Sequence, residues 1–196
     1  MCRKVARIGV YASIIYSLAS VAPGIAAPLW AFSLTSPAFK PDADIPAQYT
    51  CEGSESAKER HTGDVNAGIS PTLSWDDPPA GTQTFALLVD DPDAQGGSWI
   101  HWVVYDIPGS TRTIAQATPK QETLPDGSKH GLNDWRNPFY QGPCPPRGDA
   151  PHRYVFTLYA LDSTSGLEPA AKKTHLMLFI TKHTLAKAEL VGHFGR

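Results

Sequence analysis

The stretch "TFALLVDDPDAQGGSWIHWVVYDI", residues 84–107, decides the fold. Residues 84–91 and 98–107 are runs of β-branched, aromatic and leucine side chains and read as strands. Pro92, Gly96, Gly97 and Ser98, with Asp91 and Asp93, mark the turn between them. Period two puts Phe85, Leu87, Val89 and Asp91 on one face of the first strand, so a carboxylate ends an apolar row at the sheet's margin. The same period aligns Trp99, His101 and Val103 on the second strand. A turn that carries carboxylates and a tryptophan-flanked histidine calls for a reason beyond chain reversal.

A third run, "HRYVFTLYALD" (residues 152–162), repeats the arrangement and aligns His152, Tyr154, Phe156 and Leu158. The 18 prolines fall in connections such as "SPTLSWDDPPAGT" and "QGPCPPRGDAP", which short strands joined by irregular loops accommodate. Near the end, "KKTHLMLFITKHTLAKA" (residues 172–188) lacks strand alternation and suits a helix, with "ELVGHF" as a closing strand. The expected architecture is therefore one all-β domain, a sandwich of short strands with a short C-terminal helix. No internal repeat or low-complexity tract is visible.

With 196 residues, 41% hydrophobic and 18% charged, the chain is large enough for a substantial core. A net charge of −2 gives no basic footprint, which argues against nucleic acid as a partner. Arg3, Lys4 and Arg7 precede an uncharged apolar stretch over residues 8–22, and Gly24, Ile25, Ala26 and Ala27 offer a cleavage site. This reads as a signal peptide over residues 1–27, with the folded domain over residues 28–196 and no stable membrane span once the leader is removed. An uncleaved anchor is the alternative, because no charge appears between Arg7 and Lys40, although Pro23, Gly24 and Pro28 break that run as a helix. The expected location is periplasmic or secreted.

Loss of the leader takes Cys2 with it and leaves Cys51 and Cys144, an even pair in an exported chain. Their pairing is the expectation, worth about 4 kcal/mol in the chain-entropy model, with two buried thiols as the alternative. The seven histidines are scattered and no C-x-x-C occurs, so no metal site and no cofactor are expected.

An aspartate, two imidazoles and a phenol brought to one sheet margin would form a small polar pocket walled by indole rings. A carboxylate beside an imidazole orients it and favours its protonated form, and imidazolium N–H groups with a tyrosine hydroxyl suit phosphate oxygens. On the residues alone a second reading stands equally: His101 and His152 as core histidines bonded to backbone carbonyls, and Asp91 as a turn cap.

Four linked motifs bear on that choice. "DPDAQ", "SWIHWVVYDIP", "GPCPPRGDAPHRYVFTLYALD" and "ISPTLSWDDPPAGTQTFALLV" resemble, in order, the D-P-D-A-P, W-x-H-W-V-V, G-x-x-P-P-x-G-x-x-x-H-R-Y and S-P-x-L-x-W…P-x-G-T-x-S-F patterns of the phosphatidylethanolamine-binding protein family, which includes the Raf kinase inhibitor proteins, and particularly its bacterial branch. The likeness runs over residues 29–194. It implies a β-sandwich of two antiparallel sheets with a C-terminal helix, and a pocket for phosphate or a phosphoethanolamine head group. The family's site residues would fall on Asp91, His101, His152 and Tyr154, with Asp93, Trp99, Pro145 and Pro146 shaping the walls and the backbone donor at Cys144. Joined to Cys51, Cys144 would then tie the anion loop in place.

The sequence departs from the pattern at Gln95, where the family carries proline, and at Ile100, which points away from the His101 face. Residues 53–68, "GSESAKERHTGDVNAG", have no apolar periodicity and read as a solvated surface loop. His175, His183 and His193 read as surface or packing residues, and Trp75, Trp102 and Trp135 as core or rim. Asn133, Asp134, Arg136 and Tyr140 are candidates for the pocket entrance. With no nucleophile elbow, P-loop, dinucleotide fingerprint or H-E-x-x-H, the expected function is binding of a phosphate-bearing small molecule or phospholipid head group without turnover. A kinase-inhibitor-like regulatory role, with a protein partner the sequence does not identify, sits awkwardly with export. The alternative is a small-molecule hydrolase or cyclase that uses the same His and Asp groups as acid and base.

Overall fold

The computed structural model describes residues 32–53 and 68–196. The expected leader and most of the charged segment at 53–68 lie outside the described residues. In chain order the elements are β1 (Ser33–Thr35), β2 (Ala43–Asp44), a 3-10 turn at Ala47–Tyr49, β3 (Leu73–Asp76), β4 (Thr84–Asp91), β5 (Trp99–Pro108), β6 (Thr113–Ile114), β7 (Lys129–His130), β8 (His152–Leu161), α1 (Lys173–His183) and β9 (Thr184–Phe194).

Two sheets form a sandwich. The larger runs β2-β9-β8-β4-β5-β7 and the smaller β1-β3-β6. All pairings between strands are antiparallel except β2 with β9, which is parallel. The three strands read from sequence, β4, β5 and β8, occupy the centre of the large sheet. β4 is buried on both faces because the two faces have different covers. Phe85, Leu87 and Val89 pack with Trp75, Trp102, Phe156 and Leu158 toward the small sheet. Ala86 and Leu88 pack with Val103, Tyr105, Leu176 and Ile180 beneath α1. Each such fully buried large side chain contributes about 1.5–3 kcal/mol relative to exposure.

The pairing of β4 with β5 shifts register where the site lies. Val89 faces Trp102 and Asp90 faces Ile100, so His101 is an extra residue on β5. Trp102 and Val104 then continue the inner face, whereas Val103 turns outward to join Ile100 in the cluster beneath α1. The alignment of Val103 with His101 expected from uniform alternation is therefore corrected. The bulge lets His101 and Trp102, adjacent in sequence, both serve the inner side of the sheet.

The C-terminal segment differs from expectation in extent. The helix ends at His183 and not near residue 188, and the chain passes at Thr184 directly into β9. Lys182 and His183 complement the negative end of the helix dipole. Ala186, Lys187 and Ala188 have good helix propensity, but each pairs with a residue of β8. Sheet formation overrides that local preference.

Residues between β7 and β8 fold along the start of β5. Gly131 N–H donates to Val103 O, Asp134 N–H to Ile100 O and Gln141 N–H to His101 O. The Asp134 carboxylate accepts the Ile100 N–H at 2.7 Å. Gly142 then passes so close to the 3-10 turn that a Cβ there would stand 2.7 Å from Tyr49 O. This approach carries Cys144 to Cys51, whose N–H donates to Pro143 O. The two cysteines form a disulfide with Cα atoms 5.3 Å apart across a sequence separation of 93.

Candidate functional site

Asp91 ends β4, and its side chain is buried to 4% exposure at the sheet margin. One carboxylate oxygen accepts the Asp93 N–H at 2.9 Å, closing the turn after the strand. The other faces His152 Nδ1 at 2.8 Å, across the sheet from the first residue of β8. A carboxylate in that contact accepts, so Nδ1 carries the proton and Nε2 is left for other partners. The opening turn thus has its explanation: the carboxylate fixes the orientation of an imidazole.

His101 is held from the other side. Its Nδ1 lies 2.8 Å from Gln141 O, and a carbonyl only accepts, so Nδ1 is the protonated nitrogen. Trp135 and Tyr154 stack edge-on against the ring at 4.9 and 5.2 Å between centroids. Burial pulls the imidazole below its ordinary titration range, against a smaller opposing effect from the Gln141 carbonyl. Burial thus works against the cationic form that would suit anion binding at His101. In the unliganded protein it is favoured neutral, with a lone pair on Nε2.

Tyr154 stands between them on β8, fully buried. Its hydroxyl lies beside the Asp91 carboxylate and the Cys144 N–H, both of which act on its titration, but it is in hydrogen-bonding geometry with neither. Burial first, then the neighbouring Asp91 charge, raises the phenol well above its ordinary range, so the hydroxyl stays a donor. Ring nitrogens of Trp75, Trp102 and His130 also lack partners, but none of those residues lines the cavity described next.

Asp91, Trp99, His101, Cys144, Pro145, Pro146, His152 and Tyr154 line one cavity of about 160 Å³, together with Ala94, Gln95 and Trp135. The exposed Trp99 meets Trp135 edge-to-face at its mouth. Eight of the nine residues singled out from sequence are brought together here. Asp93 is the exception. Its side chain lies outside the cavity and takes the Arg153 guanidinium in a two-pronged pair at 2.9 and 2.7 Å, which holds its carboxyl down to about 2. It shapes the site from outside, through its backbone N–H to Asp91 and through its carboxylate, which also accepts the backbone N–H of Arg153, between His152 and Tyr154, at 2.9 Å.

The segment expected at the entrance behaves differently. Asn133, Asp134 and Arg136 line a separate groove with Lys172 and Lys173. Tyr140 is buried, with its hydroxyl on Tyr49 O. Trp135, set aside in sequence as core or rim, is the member of this segment that walls the cavity. A more apolar cavity of about 200 Å³ lies between β5, β6 and the loop before β7, and its one charged lining residue, Asp126, is engaged with Ser128. Among the described residues, no three of His, Cys, Asp and Glu stand in position to hold a metal ion.

The sequence matches the phosphatidylethanolamine-binding protein family over residues 35–195. A UPF0098 protein of Aquifex aeolicus is 41% identical over 162 residues, covering 82% of this chain and 86% of the relative. A candidate lipoprotein of Mycobacterium tuberculosis, LppC, is 38% identical over 163 residues, covering 83% of this chain and 71% of the relative. Among solved structures, the phosphatidylethanolamine-binding protein homologue CT736 of Chlamydia trachomatis superposes with a TM-score of 0.71 at 34% identity, covering 85% of this chain and 98% of that one. The sandwich is the fold shared with the solved homologue, and this chain belongs to the phosphatidylethanolamine-binding protein family. The disulfide and the likeness to LppC together point to an exported protein.

Proposed function

We propose that this protein binds a phosphate-type anion, as the free ion or as the phosphoester of a small molecule or lipid head group, in the cavity between Asp91, His101, His152 and Tyr154. It would do so in the periplasm or after secretion. The observation that carries this reading is the Tyr154 hydroxyl: a buried donor with no hydrogen bond in the protein, at the wall of a cavity it shares with two oriented imidazoles. Buried polar groups are otherwise almost always paired, and an incoming oxygen would pair this one. The size supports a small guest, since pockets for drug-sized ligands run to about 300–1,000 Å³. His101, neutral when the cavity is empty, would either take up a proton as the anion enters or accept one from a P–OH group.

Calorimetric titration with inorganic phosphate and phosphoethanolamine tests the reading. Saturable binding, abolished in Asp91→Leu and in His152→Ala with the far-ultraviolet circular dichroism unchanged, is the expected result. Undiminished affinity in both variants would end the assignment. Chemical change of a phosphoester on incubation, lost in His152→Ala, would move it to the hydrolase reading.

A further inference from the structure

The groove between the segment after β7 and the start of α1 shares no lining residue with the cavity at Asp91. Its volume is about 540 Å³, within the range of small-molecule sites, whereas the cavity holds about 160 Å³. Arg136, Lys172 and Lys173 line it, and Asp134 is the one carboxylate among the lining residues. Among the described residues, neither Arg136 nor Lys172 has a carboxylate within ion-pair distance.

The Asp134 carboxylate is already engaged. It accepts the Ile100 N–H at 2.7 Å and stands 3.9 Å from Lys173 Nζ, beyond hydrogen-bond length. Lys173 also acts on Asp90, but that carboxylate takes the Ser98 hydroxyl and does not line the groove. An excess of two positive charges therefore stands in one groove of a chain whose net charge is −2. α1 opens there with no acidic residue in its first turn and no side-chain cap, so the helix dipole adds to a field that the three side chains already make. The walls are fixed. Asn133 Oδ1 accepts the N–H groups of Trp135 and Asn137, Arg136 N–H donates to Asn133 O, and Leu132 N–H donates to Ala171 O just before the helix. That turn holds Arg136 at φ 60°, a left-handed conformation unfavourable for arginine.

We propose that this groove is a second ligand site, independent of the cavity, that takes a small organic polyanion bearing at least two carboxylate or phosphate groups. The Arg136 guanidinium offers paired N–H donors to one oxyanion, and the ammonium groups of Lys172 and Lys173 offer point charges to others. A ligand with a single anionic group engages only part of this set, so affinity rises steeply with the number of charges the ligand carries. Asp134 opposes the same ligand. Removal of a cation and removal of that carboxylate therefore act with opposite sign, which separates a charge-built site from residues that merely support the turn.

The test is calorimetric titration at low salt with citrate and fructose 1,6-bisphosphate as probes and acetate as the single-group control. It is run in wild type and in His152→Ala, which keeps the cavity out of the measurement. At least one probe should bind saturably, with the same affinity in both proteins and far more tightly than acetate, and the binding should fade as salt is added. Arg136→Gln and Lys172→Gln should each weaken it about 3- to 30-fold, as expected for one unit charge a few ångströms from the ligand in a wet groove. Asp134→Asn, whose amide oxygen still accepts the Ile100 N–H, should tighten it by a similar factor. Arg147→Gln removes a cation outside the groove and should leave it unchanged. Tighter binding of citrate would identify the ligand class as a polycarboxylate, and tighter binding of the bisphosphate as a phosphorylated small molecule. No saturable binding of either probe would overturn the assignment. So would binding lost in His152→Ala, weakened equally in Arg147→Gln, or weakened in Asp134→Asn; the anion reading of the cavity would stand or fall separately.

Discussion

Tyr154→Phe deletes one oxygen atom and should move stability and binding in opposite directions. In the free protein the hydroxyl is buried without a hydrogen bond. An unpaired buried polar group costs about 1–3 kcal/mol, so its removal should leave the free protein at least as stable as wild type, and more stable by roughly 1–2 kcal/mol if little rearranges. For a chain of this size each kcal/mol raises Tm by about 2–4 °C. The liganded protein should show the reverse, because the hydroxyl would donate to a charged oxygen. Loss of such a bond, about 1.5–3 kcal/mol, weakens binding by roughly 10- to 150-fold. Urea unfolding without phosphate, paired with calorimetric titration of phosphate, reads both halves. A variant that is less stable when empty would mean that the hydroxyl has a partner in the free protein. An unchanged Kd would mean that it does not touch the anion, and either result would refute the reasoning.

Three further outcomes follow from the same geometry. His101 and His130 are both buried, and burial lowers the titration of each below the ordinary 6.5. Below 6.5 the unfolded chain binds protons that the native protein refuses, so stability to urea should fall as pH drops from about 7 toward 5, and saturating phosphate should lessen the fall; a flat profile would contradict the buried neutral state. The Cys51→Ser/Cys144→Ser double variant should lose about 2–4 kcal/mol in urea unfolding and bind phosphate more weakly, since Cys144 belongs to the cavity wall, and two free thiols in the purified wild type would refute the pairing. Asp93→Ala removes a largely exposed pair and should change stability by less than about 1 kcal/mol without abolishing binding, in contrast to Asp91→Leu; equal loss of binding in the two would show that Asp93 does more than cap the turn.

Much of this was legible because the central strands carry their own signal. The aromatic and β-branched runs of β4, β5 and β8 reach their observed bounds to within a residue, and period two correctly ends the inner face of β4 on Asp91. What escaped the sequence depended on partners distant in the chain. The bulge at His101 is set by pairing with β4, and local periodicity has no mark for an extra residue. β9 is a strand because β8 lies beside it, although its alanines and lysine would serve a helix equally well. Trp135 reaches the cavity because its neighbours bond to the backbone of Ile100 and His101. The family resemblance places Asp93 among the residues that shape the pocket walls, and only the location of Arg153 shows where its carboxylate is used.

A crystal structure of the protein grown with phosphate tests the central claim most directly. One anion should occupy the cavity, with an oxygen about 2.5–3.2 Å from the Tyr154 hydroxyl and others within the same reach of Nε2 of His101 or His152. A cavity that holds only water, while phosphate binds at some other surface, would contradict the account.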